Sequence, residues 1–218
     1  MIAHRGASGH AVENSLEAFR KAAELGADGV ELDVHATSEG RFVVFHDHSL
    51  PSGRLIRDLP TAEVRAHRLS NGEPIPFLEE VFGAIPGLAI WIEVKGLEPA
   101  WDLALLSLID AAPAPDRCAV HSFDHRIIAR LGRIRPSLPR GALSSSYPTD
   151  PLAPLVASGA TTLWQEWRLI DRPLVEQVHR SGRRIIAWTV NDRANALRLR
   201  DMGVDGLCGN YPERLLSP

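Results

Sequence analysis

Short runs of consecutive apolar residues alternate along this chain with longer stretches in which apolar residues recur every three or four positions. The first pattern is that of a strand buried on both faces, the second that of a helix with one apolar face. Together they predict eight strands, at residues 2–4, 29–34, 89–94, 118–121, 141–143, 161–164, 185–190 and 206–208. Helices are expected between them at 15–25, 78–84, 101–110, 125–133, 151–157, 173–180 and 193–202. Strand, helix, strand repeated in this way implies a parallel sheet. Eight repeats in 218 residues fit a closed (β/α)8 TIM barrel near the short end of its size range. A doubly wound open sheet is the alternative. It usually carries a glycine-rich phosphate loop after its first strand, and Gly6-Ala7-Ser8-Gly9 is a weak version of one.

Local chemistry marks several boundaries. Asn14 or Ser15 can cap the first helix by accepting a backbone N–H, and Glu17 complements its positive end. Glycines at 26, 159, 182 and 203 stand where helices hand over to strands. One segment breaks the rhythm: residues 42–45 follow the second strand too closely for a helix to intervene. Glu39-Gly40 then predicts a tight hairpin with Asp33 directly across from His46, which would gather Glu31, Asp33 and His46 on one face. Residues 49–76, rich in Pro and Gly, are expected to be an irregular excursion. The chain otherwise reads as a single domain over 1–218.

Composition narrows the function classes. Hydrophobic residues make up 44% and charged residues 23%, as in an ordinary globule, and a formal net charge of -3 gives no basic surface for nucleic acid. No apolar stretch approaches the ~20 residues of a membrane span, so no stable membrane insertion is expected. Two cysteines, Cys118 and Cys208, make no disulfide framework. With His4 so near the first residue, the expectation is a cytoplasmic protein without a signal peptide. Nothing here fixes an oligomeric state.

The apolar runs end in charged clusters: His4-Arg5-Gly6, Glu31-Leu32-Asp33, His46-Asp47 and Glu93-Val94-Lys95. Such groups are costly at strand ends unless they converge on something charged, and barrel enzymes place their chemistry at the C-terminal ends of the strands. Glu31, Asp33 and Glu93 offer the carboxylate oxygens that hard divalent cations prefer and are the expected metal ligands. His4 and His46 form an imidazole pair able to take and give protons near neutral pH. Arg5 has a planar fork suited to phosphate. Lys95 either bridges to an acid or neutralises a phosphate beside the metal. Glu13 either orients Arg5 or completes the metal shell. The other histidines, His121 at a strand end included, lack a matching cluster and read as scaffold or rim. Trp164 and Trp167 read as core or walls.

Taken in order, these clusters resemble the glycerophosphodiester phosphodiesterase family. So do Glu13-Asn14-Ser15, Ser122-Phe123, Trp188-Thr189-Val190-Asn191, Asp205-Gly206-Leu207 and Asn210-Tyr211-Pro212. The resemblance covers nearly the whole chain. It implies a (β/α)8 barrel with a segment inserted after the second strand. It also implies metal acids at Glu31, Asp33 and Glu93, catalytic histidines at His4 and His46, and phosphate-side cations at Arg5 and Lys95. Trp188 would form an apolar wall toward glycerol or the leaving group. One divalent cation, Mg2+ or Ca2+, is implied, with a small glycerophosphodiester hydrolysed to glycerol 3-phosphate and an alcohol. The alternatives are a barrel that cleaves lysophospholipids, one that stops at a cyclic phosphate, and a silent phosphate-binding barrel. The chain departs from the family at Val12 and Ser15, where proline and threonine are common, and at Pro51-Ser52-Gly53 after Leu50. Its insert is short, which predicts an open mouth with little discrimination among headgroups.

Overall fold

The computed structural model describes residues 1–215. The order is β1 (Ile2–His4), α1 (Leu16–Glu24), β2 (Gly29–Ala36), β3 (Phe42–Val44), α2 (Thr61–Ala66), α3 (Leu78–Ala84), β4 (Ala89–Gly96), α4 (Asp102–Asp110) and β5 (Cys118–Ser122). There follow α5 (His125–Ile134), β6 (Arg140–Ser144), α6 (Ala153–Ser158), β7 (Thr162–Glu166), α7 (Arg172–Arg180), β8 (Arg184–Trp188), α8 (Arg193–Met202), β9 (Gly206–Gly209) and α9 (Pro212–Leu215). The strands run β1-β9-β8-β7-β6-β5-β4-β2, and β1 pairs β2 to close the ring. Every pairing in that ring is parallel, which makes a (β/α)8 barrel; β3 alone hangs antiparallel on β2. Among the described residues no helix is long and apolar enough to cross a membrane.

Two apolar layers follow from the alternation of side chains along each strand. Val30, Leu32 and Val34 of β2 belong to the outer layer with Phe19 and Ala22 of α1. Ile2, Leu143, Trp164, Ile186 and Cys208 fill the barrel, with Trp91 and Trp188 against them. Gly141 is a glycine for packing reasons: a Cβ there would meet the Trp164 ring at 2.7 Å. Ser15, not Asn14, caps α1, its hydroxyl accepting the Ala18 N–H at 3.0 Å.

Two expectations need correction. The β2–β3 register pairs Val34 with Val44, and the Phe45 N–H reaches the Asp33 carbonyl at 3.0 Å, so Asp33 lies across from Phe45 rather than His46. The loop holds three residues between Thr37 and Arg41, with Gly40 at φ 74°, where the sequence predicts a two-residue turn. His46 still reaches the site, because β3 ends at Val44 and the chain bends beyond it. The segment 49–76 is also more ordered than its prolines and glycines imply. It carries a 3-10 turn at Ile56–Asp58 and helix α2, and Leu50, Ile56, Leu59, Val64, Leu69 and Ile75 form a small core of their own with Val43.

Candidate active site

Glu31 and Asp33 leave β2 on the same side, and the register sets Asp33 beside Glu93 of β4. All three carboxylates are buried, and their ligand oxygens lie within 4.8 Å of one another. Burial, and then the Asp33 charge, push the Glu31 carboxyl up to about 7. Burial likewise pushes Glu93 up to about 7, against the pull of Lys95. Burial would raise Asp33 as well, but Lys95 and Arg5 outweigh it and hold this carboxyl down at about 2.

The cations are placed to do so. Lys95 Nζ stands 2.9 Å from Asp33 Oδ1 and 2.6 Å from Glu93 Oε1. Arg5 Nε is 3.2 Å from Asp33 Oδ2, its Nη1 donates to both oxygens of Glu13 at 2.9 Å, and its backbone N–H donates to Glu31 Oε2 at 3.1 Å. Glu13 therefore orients Arg5 and lies outside the acid cluster. The β1–α1 loop is bent to make these contacts: Arg5 and Asn14 both adopt left-handed backbones, φ 55° and 57°, and the Asn14 N–H closes on the Arg5 carbonyl. Left-handed non-glycine residues cost on the order of 1 kcal/mol each. Here they bring the Asn14 amide onto Asp33, donating from Nδ2 at 2.8 Å.

Three buried carboxylates thus face two cations. One negative charge is left over, and Glu31 Oε1 is buried with no hydrogen-bond partner. A hard divalent cation fits this donor set.

The two histidines differ in setting. His4 Nδ1 hydrogen-bonds Asn210 Oδ1 at 2.7 Å, which puts the ring proton on Nδ1 and leaves Nε2 bare, 4.0 Å from Glu31 Oε2. Asn210 is held in turn through its N–H by Asn191 Oδ1 at 2.8 Å. Burial lowers the His4 pKa by more than Glu31 raises it. His46 is 37% exposed and leans its Nδ1 on Asp47 Oδ1 at 2.8 Å. Both rings line one cavity of about 90 Å³ together with Arg5, Glu31, Glu93, Lys95, His121, Trp164 and Trp188.

Residues 4–214 match the Glycerophosphoryl diester phosphodiesterase family. The chain belongs to this family. Its membership makes it a phosphoric diester hydrolase. A "Glycerophosphodiester phosphodiesterase" of Caldanaerobacter subterraneus subsp. tengcongensis is 31% identical over 233 residues, covering 100% of this chain and 96% of the relative. An Oleispira antarctica phosphodiesterase, solved with the product sn-glycerol-3-phosphate, superposes with a TM-score of 0.91 at 28% identity, over 98% of this chain and 94% of that one. A glycerophosphodiester phosphodiesterase from Parabacteroides distasonis gives 0.88 at 25% identity, over 98% and 93%.

Within the family frame, His4, Arg5, Glu31, His46, Glu93, Lys95 and Trp188 meet at one cavity, Asp33 joins through its ion pairs, and Glu13 joins through Arg5. Trp188 stands at the rim, edge-on to Phe123 with ring centroids 5.6 Å apart. Trp164 is fully buried yet walls the cavity, while Trp167 packs outside the barrel beneath Arg168. Neighbouring cavities flank the site. One of about 400 Å³ shares Lys95 and is lined by His35, His48, Arg57, Asp58 and Trp101. One of about 380 Å³ shares His46 and is lined by Glu13, Pro51, His67 and Arg68. The 49–76 segment lines both.

The contacts of Asn14 with Asp33 and of Asn210 with His4 are absent from the sequence reading, which takes Asn14 only as a possible helix cap, although both residues lie within motifs it singles out. His121 is misplaced there: far from rimming the mouth, it is buried inside the site.

Proposed function

We propose that this chain is a divalent-metal-dependent hydrolase of glycerophosphodiesters, releasing glycerol 3-phosphate and an alcohol, with His4 and His46 as its proton-transfer pair. The convergence of two differently held imidazoles and a three-carboxylate cluster on one cavity carries the reading. A Mg2+ or Ca2+ ion held by Glu31, Asp33 and Glu93 would supply positive charge to the phosphate oxygens. Arg5 and Lys95 add to that charge from the same wall. The barrel and its 49–76 excursion act together as one catalytic unit, with Trp188 against the carbon chain of the substrate.

The settings of the histidines divide their labour. His4 presents a bare Nε2 and is kept neutral by burial, so it takes the proton from the attacking hydroxyl. His46 stands toward water with Asp47 beside it, so its charged form keeps hydration and a counter-ion. It gives the proton to the departing alkoxide.

A leaving-group comparison tests this division. Replacing either histidine by alanine should slow hydrolysis of glycerophosphocholine by at least ~100-fold. With a nitrophenyl diester, whose alcohol departs without help, His46→Ala should recover most of its rate and His4→Ala should not. Recovery in His4→Ala alone would reverse the roles, and near-native rates in both variants would remove the pair from the mechanism.

A further inference from the structure

His121 is only 1% exposed, and neither of its ring nitrogens has a hydrogen-bond partner. Buried polar groups nearly always find one, so a bare imidazole inside an active site marks a missing neighbour. The tryptophan rings around it do not serve. Trp91 stands edge-on at 5.6 Å between centroids, and Trp164 is tilted at 4.2 Å. The atom facing His121 Nε2 is Glu31 Oε1, 3.8 Å away, which is itself buried without a partner.

That gap is too long for a hydrogen bond. It suits two ligands of one ion: donors each about 2.0–2.2 Å from a first-row metal lie up to ~4.3 Å apart. The strand register supports the same placement. Asp33 pairs with Glu93 across β2 and β4, and Glu93 pairs with His121 across β4 and β5. The backbone register therefore sets two acids and an imidazole at one level on three adjacent parallel strands, with Glu31 two residues away along β2. Among the described residues the mutually close ligand atoms are those of the three acids alone, so His121 reaches the ion from beside Glu31 by a turn of its side chain.

We propose that His121 supplies a nitrogen ligand to the cation held by Glu31, Asp33 and Glu93, an inference that rests on the metal-dependent reading above. The consequence is selectivity. Carboxylates alone suit Mg2+, Ca2+ and Mn2+, whereas an added imidazole favours borderline ions such as Co2+, Ni2+ and Zn2+. The site should then bind Co2+ and Zn2+ more tightly than an all-oxygen set would, with Ca2+ gaining little and Mn2+ standing between.

The test is spin-echo modulation spectroscopy of the metal-free protein loaded with Mn2+ alone. Wild type should show coupling to a directly bound nitrogen, and the pattern should change when histidine is labelled with nitrogen-15. His121→Gln should lose this signal. His4→Gln should keep it, which guards the conclusion if His121→Gln does not fold. Calorimetry should show His121→Gln weakening Co2+ and Zn2+ by on the order of 10–100-fold, the scale seen even for supporting partners of metal ligands. Ca2+ should change by less than ~3-fold, as expected for a hard ion with little affinity for imidazole. Bound Mn2+ without nitrogen coupling, a signal lost in His4→Gln instead, or equal weakening of all ions would overturn the inference and leave the acid cluster standing as the metal site. Failure of wild type to bind any divalent ion would overturn both.

Discussion

The two walls of this barrel share one backbone plan and opposite chemistry. Toward the C-terminal ends of β1, β2, β4 and β5 the inward positions hold His4, Glu31, Asp33, Glu93, Lys95 and His121, above the apolar Ile2 and Trp91; on β6 to β9 they hold Leu143, Trp164, Ile186, Trp188 and Cys208. The apolar wall needs no special arrangement, because burial alone stabilises it. On the charged wall each buried group must be answered. Asp33 is answered by Arg5, Lys95 and Asn14, and Glu31 is answered less completely. A phosphodiester joined to a short carbon chain has the same two-sided character. The contrast also shows where the charged wall is unfinished, at Glu31 Oε1 and His121.

The largest effects should come from breaking the charged wall. Glu31→Gln and Asp33→Asn should each lower turnover by about 1000-fold, the upper scale for losing one preorganised electrostatic group. Their stabilities should diverge. Asp33→Asn leaves the half-buried Lys95 to Glu93 alone and Arg5 to Glu13, and should cost about 3 kcal/mol, the lower end for removing one partner of a buried pair. Glu31→Gln removes a carboxylate that burial already disfavours, so the metal-free variant should be at least as stable as wild type. Denaturant titration of both variants in chelator checks the pair, and equal destabilisation would contradict it.

Varying pH sharpens the same contrast. The Glu31 carboxyl has its pKa near 7 in the fold against an ordinary 4.5. Between those values the folded state binds the extra proton, so this group's contribution to stability falls as pH rises through about 4.5 to 7. His35 and His121, whose pKa values burial lowers to about 4, act in the opposite direction over a similar range, so the wild-type curve alone is a composite. Glu93, also raised to about 7, acts with Glu31, and the difference between Glu31→Gln and wild type reports Glu31 together with its charge coupling to Glu93, Asp33 and His4. In chelator the variant's advantage in Tm should grow from pH 5 to pH 8. A shrinking advantage would mean that Glu31 has a cationic partner in the metal-free protein.

The apolar wall should respond least. Trp188→Ala should raise KM with little change in kcat, for a loss of about 1–3 kcal/mol in kcat/KM, the scale of one pocket contact. Steady-state kinetics with glycerophosphocholine decides it, and a kcat loss as large as that of the histidine variants would place Trp188 in the chemistry.

This asymmetry also explains what was legible in the sequence. Glu31, Asp33, Glu93 and Lys95 interrupt apolar strands at intervals of two, so their shared face follows from strand geometry alone. The strand–helix alternation likewise specifies the barrel. The His46 placement rested on a hairpin register that depends on where Gly40 falls in the turn, and one residue more in the loop moved it. His121 was hidden because its relation to Glu93 is set by β4–β5 pairing across 28 residues of sequence. The small core under 49–76 was hidden because Ile56, Leu59, Val64, Leu69 and Ile75 follow neither helical nor strand spacing between the prolines.

Phosphorus NMR of glycerophosphocholine hydrolysis, run with Mg2+, with Ca2+ and with chelator, tests most directly whether the charged wall performs metal-assisted diester hydrolysis. Glycerol 3-phosphate should accumulate with at least one of the ions, and its formation should stop in chelator while the protein remains folded. Unchanged turnover in chelator would contradict the account. So would a cyclic phosphate as the end product, or no turnover by folded, metal-loaded protein.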